Sequence, residues 1–65
     1  MMATIGEALR IAAGYLDGGQ LDDARLVLER ILAVAPDHAA TWNLLGVVKT
    51  RQGDTDAAVK CFYRA

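Results

Sequence analysis

The chain is short of nearly every device that holds very small proteins together. Its one cysteine, Cys61, has no partner for an internal disulfide, and no cluster of Cys and His is spaced to hold a structural metal. Neither sign of charge prevails: seven basic and eight acidic residues are interspersed, for a formal net charge of −1. That balance gives no basic footprint for nucleic acid and no polybasic membrane surface. Long apolar runs are missing too, since the longest, within 31–36 and 44–48, fall far short of the roughly 20 residues that span a bilayer. The segment from Met1 to Leu16 has no basic leader and no small-residue cleavage pattern, and it carries Glu7 and Arg10 among its apolar positions, so it does not read as a secretion signal. A lone thiol without a targeting signal fits a reducing, cytoplasmic setting.

What is present is apolar: 54% of the 65 residues, against 23% charged, with a single proline and no low-complexity run. This is the composition of a folded segment and not of a disordered tail. A unit this small buries only about 60% of the surface its unfolded chain exposes, so ordering cost and burial nearly cancel. With disulfide and metal excluded, self-association or additional chain is the stabilising device that remains.

Three breaks, Gly18-Gly19, Pro36-Asp37 and Gly53-Asp54, divide the chain into four segments, and each reads as helix. The first, about Ala3 to Asp17, sets Ile5, Ala8, Leu9, Ala12, Tyr15 and Leu16 at spacings of three and four. Gly18 or Gly19 supplies its left-handed cap. The second, Leu21 to Val34, buries Ala24, Val27, Leu28, Ile31 and Leu32, with Asp22 and Asp23 in the first turn where the helix dipole favours them. Pro36 stops it. The third, about His38 to Gln52 with Asp37 as its N-cap, carries Trp42, Leu45, Gly46, Val48 and Lys49 on one face and Leu44 and Val47 on another. The fourth opens at Asp54 or Thr55 and runs through Ala58, Val59 and Phe62.

Shifted by 34, the sequence falls on itself: Gly19 on Gly53, Asp22 on Asp56, Ala24 on Ala58 and Arg30 on Arg64, with Ile11 on Leu45, Leu28 on Phe62 and Ala12 on Gly46 as chemical likenesses. The pattern has a steric reason. Ala12 and Gly46 are small where the helices of a pair cross, Ala24 and Ala58 are the small residues facing them, and Leu28 and Phe62 fill the layer, with Ile11 and Leu45 beneath.

Trp42, Leu45, Gly46, Ala58, Phe62 and Ala65 follow the order and spacing of the tetratricopeptide repeat signature, and Tyr15, Gly19, Ala24 and Pro36 occupy its positions in the preceding register. The chain therefore resembles that family over nearly its whole length. Its departures are Ala8 at the Trp position of the first repeat, Lys49 at the Tyr position of the second, and no closing Pro in the second. The resemblance implies an all-α fold of antiparallel helix-turn-helix pairs stacked as a short right-handed α-solenoid. It implies a single domain over 1–65, with repeat one at about 5–38 and a partial repeat two at about 39–65. It also implies a scaffold that binds a protein or peptide in a groove lined by the first helix of each pair, here Leu9, Arg10, Ala13, Leu16 and Asp17 with Asn43, Leu44, Val47 and Arg51. Family members that clamp the C-terminal carboxylate of chaperone tails use Lys and Asn on the first helix, where this chain has Leu9 and Ala13. The apolar lining would instead suit an amphipathic helix.

Residues that tempt toward chemistry have plainer readings. Trp42 and Tyr15 lie on inner helical stripes and read as core, His38 as a surface imidazole, and Cys61 as a small apolar residue. Asp54, Thr55 and Asp56 open like a calcium loop, but Ala57 and Ala58 break the ligand spacing, and helix capping accounts for all three. No glycine-rich phosphate loop or Ser/His/Asp order is present, so neither an enzyme nor a cofactor is expected.

The final helix presents Val59, Cys61, Phe62 and Tyr63 with no following repeat to cover them. Val59, Phe62 and Tyr63 are thus a candidate self-association end, which would make the chain a homo-oligomeric repeat unit. The alternative is a segment of a longer protein, such as the N-terminal part of a glycosyl- or sulfotransferase. If Phe62 is fully buried, Phe62→Ala is expected to cost about 3 to 5 kcal/mol.

Overall fold

The computed structural model describes residues 4–65. Among them are four helices and no strand: α1 (Ile5–Asp17), α2 (Leu21–Val34), α3 (Ala39–Arg51) and α4 (Thr55–Arg64). The Ala3 start expected for the first helix lies outside the described residues. Within them, α1 is opened by Thr4, whose hydroxyl accepts the Glu7 N–H at 3.1 Å and donates to the Glu7 carboxylate at 3.3 Å. Thr4 and Glu7 have the Ser/Thr-x-x-Glu spacing of a capping box, a local signal for the start of α1. At α4 the Asp54 carboxylate accepts the Ala57 N–H at 3.2 Å, so this residue is a helix cap as expected.

The third helix starts differently from expectation. His38, not Asp37, is its N-cap residue. The imidazole is half-buried, with Nδ1 2.8 Å from Thr41 Oγ1, so it is not the open surface group anticipated. The cause lies one turn ahead: Thr41 points into the interior with no exposed surface, and a buried hydroxyl needs a partner.

The helices form two antiparallel hairpins, α1–α2 and α3–α4, each closed by the same turn. Gly19 and Gly53 have φ of +77° and +81°. Gln20 N–H reaches back to Tyr15 O at 2.8 Å and Asp54 N–H to Lys49 O at 2.9 Å, while each glycine's own N–H bonds the next carbonyl, of Leu16 and Thr50 respectively. These are Schellman caps 34 residues apart, where a left-handed residue is required and a side chain would be strained.

Between the hairpins the chain crosses at Ala35–His38. Trp42 holds the crossing by donating its indole N–H to Pro36 O at 2.6 Å, and the Arg64 guanidinium lies 5.0 Å from the centre of the same ring. Farther along α3, Arg51 donates to Leu16 O at 3.1 Å and Gln52 to Asp22 at 3.3 Å, tying the end of α3 to the first hairpin's turn.

The core is one cluster fed by all four helices: Ala12 and Leu16, Ala24, Leu28 and Ile31, Leu45 and Val48, and Cys61. α3 is its axis, packed on α2 and α4 and brushing α1, whereas α4 packs on α3 alone. This explains why α3 has two apolar faces where the other helices have one stripe. Small meets large as the register predicts, with Ala12, Ala24, Gly46 and Ala58 all buried. Two members of the expected layers are not enclosed. Among the described residues, no helix packs on the outer side of α1 or of α4, and Ile11 and Phe62 are exposed there.

Candidate interaction surfaces

The residues expected to line a groove lie on α1 and α3, two helices that touch only lightly. Leu9 and Ala13 on α1, four residues apart, and Leu44 and Val47 on α3, three apart, are half-buried. Leu9, Leu44 and Val47 pack on the core from above. Arg10, Asp17, Asn43 and Arg51 are exposed around them. Leu16 departs from this arrangement: it is enclosed in the core, and only its carbonyl oxygen is engaged from outside, by Arg51. The reason is positional. Leu16 continues the inner stripe of Ala12, one turn farther along α1.

A second surface lies on α4. Val59, Phe62 and Tyr63 are exposed to 48%, 43% and 86% and line an open apolar depression of about 330 Å³. Cys61, one residue away, points the other way and is buried. Burial pushes its thiol above the ordinary value, against the pull of Lys49 and Arg64 and with a further push from Asp54. A neutral, enclosed thiol is a packing group and not a nucleophile.

A third feature was not foreseen. A notch of about 280 Å³ opens between α1 and α2, lined by Thr4, Ile5, Ala8, Val27, Arg30, Ile31 and Val34. The departure that marks it, Ala8 at the Trp position, was visible in the sequence, but a missing side chain becomes a cavity only if neighbours fail to close over it.

Among the described residues, no group of three or more His, Cys, Asp or Glu is placed to hold a metal ion, and no helix is long and apolar enough to cross a membrane. Trp42 and Tyr15, both half-buried, pack against the core and do not stand free for stacking.

A family model described as Tetratricopeptide repeat matches residues 8–64. No curated protein and no solved structure matches the chain. Two hairpins in a 34-residue register, closed by identical glycine caps and covered almost end to end by that model, make the chain a member of the tetratricopeptide repeat family.

Proposed function

We propose that the chain is a protein-interaction module that lays an amphipathic helix or extended peptide across α1 and α3. The observation that carries this is the half-buried apolar strip of Leu9, Ala13, Leu44 and Val47, rimmed by Arg10, Asp17, Asn43 and Arg51. An apolar strip with a polar rim matches the anchors of a helix at i, i+3, i+4 and i+7, and the family's general role in protein association agrees with it. In this reading repeat one spans about 5–38 and a partial repeat two about 39–65, and the chain works without catalytic residues or cofactor. The test is a library of amphipathic peptides, with the bound peptide mapped by amide chemical shifts. Val47→Asp should weaken capture by about tenfold or more while the circular dichroism spectrum stays helical. Shifts confined to α4 would overturn the assignment.

A second reading is favoured by the α4 depression. Val59, Phe62 and Tyr63 would be covered by a second copy of the chain, giving a homo-oligomer in which the exposed end of one solenoid meets that of another. Light scattering across a concentration series separates the two: a monomer at all concentrations removes self-association.

A further inference from the structure

The notch between α1 and α2 has an internal template. Moving its lining by 34 residues places Ala8 on Trp42, Val27 on Cys61, Arg30 on Arg64 and Ile31 on Ala65. In the second hairpin that same position is filled by the Trp42 indole, with Arg64 5.0 Å from its centre. In the first hairpin the arginine is retained at the edge of the cavity, but the aromatic ring is replaced by a methyl group, and among the described residues the space stands open.

We infer that this notch is a second binding site, which takes a tryptophan side chain of a partner polypeptide beneath Arg30. The floor of Ile5, Ala8, Val27 and Ile31 is apolar and half-exposed or better covered, so an aromatic body gains by displacing water from it. The volume of about 280 Å³ lies just under the range of about 300 to 1,000 Å³ typical of drug-sized pockets. It is the size for one large side chain and not for a cofactor. Arg30 supplies the cation over the ring face, the role Arg64 has in the second hairpin, and this favours indole over an aliphatic group of equal area. Because α2 forms one wall, the site is separate from the α1–α3 face. A partner could engage one, or bridge both and gain avidity.

The probe is N-acetyl-tryptophanamide, titrated into the 65-residue chain and followed by amide and methyl chemical shifts, with N-acetyl-leucinamide as the aliphatic control. The expected result is saturable shifts at Ala8, Val27, Ile31 and Val34, stronger for the indole than for the leucine amide. Arg30→Ala should weaken binding by about two- to fivefold, the size of an exposed cation–π contact. Ala8→Trp should abolish it by filling the notch from within. Ala8→Leu, a smaller insertion, serves the same purpose if the tryptophan variant does not fold. Four results would overturn the inference: shifts centred on α4 or on the α1–α3 face; binding unchanged in the filled variant; notch residues that move with protein concentration alone, which would make the occupant a second copy; or methyl contacts from Met1 or Met2 to Val27, which would make it the chain's own N-terminus.

Discussion

The two hairpins share a register and treat equivalent residues in opposite ways. Leu28 is 1% exposed, while its counterpart Phe62 lies at 43%. In the reverse sense, Ile11 is 49% exposed and its counterpart Leu45 only 5%. Each difference has the same origin. Among the described residues, α2 has α3 on its outer side and α4 has no helix there; α3 has α2 on its inner side and α1 has none. In a solenoid the repeat register decides which residues are alike, but neighbouring repeats decide which of them are core.

The sharpest way to test that contrast is to truncate the matched pair. Leu28→Ala removes a fully enclosed side chain from the central cluster and should cost about 2 to 5 kcal/mol in denaturant unfolding. Phe62→Ala should cost less than half the fully buried figure, about 1 to 2 kcal/mol, because much of the ring remains in water in the folded chain. Equal losses for the two would mean that α4 is covered in solution, and the self-associating reading would gain directly.

The glycines offer an intermediate contrast. A Cβ built on Gly46 would lie 2.5 Å from Phe62 Cε1, so the Phe62 ring must swing away. Gly46→Ala should therefore destabilise by about 1 to 3 kcal/mol, less whatever helix propensity returns. On the first hairpin, Gly14 sits mid-helix with nothing within 4 Å of the same added atom. Gly14→Ala should stabilise by about 0.5 to 1 kcal/mol. Thermal melts of the two variants should move in opposite directions, and a shared direction would break the comparison.

The smallest effect concerns Cys61. Its folded-state thiol is raised by burial above the value it has in the unfolded chain. The unfolded state therefore loses its proton first as pH rises, and stability present below the ordinary thiol range should decline above it. Cys61→Ala should remove that alkaline component from a pH series of melting temperatures, while leaving the rest of the profile in place.

Much of the fold was legible in the residues. The α2 boundaries, the two glycine caps, the Asp54 cap and the small residues at the helix crossings all follow from local chemistry, because backbone hydrogen bonding and φ are settled within a few residues. The α3 cap lies one residue from the expected Asp37 because Thr41, deep in the core, recruits His38, and nothing in the neighbouring residues marks Thr41, unlike the exposed Thr50 on the same helix, as the buried threonine. The proposed groove was legible as a list of first-helix residues. Only packing removed Leu16 from it and tied Arg51 to the first hairpin's turn. The notch was legible only as an oddity at Ala8.

The sequence by itself determined four helices, their 34-residue register and the family to which they belong, since periodicity, caps and breakers act locally and repeat faithfully. Tertiary structure alone decided which equivalent residue became core and which became surface, because burial is a property of neighbours. It also decided that Ala8 would leave a cavity beside Arg30, because whether neighbours close over a missing side chain depends on packing that the residue itself does not carry.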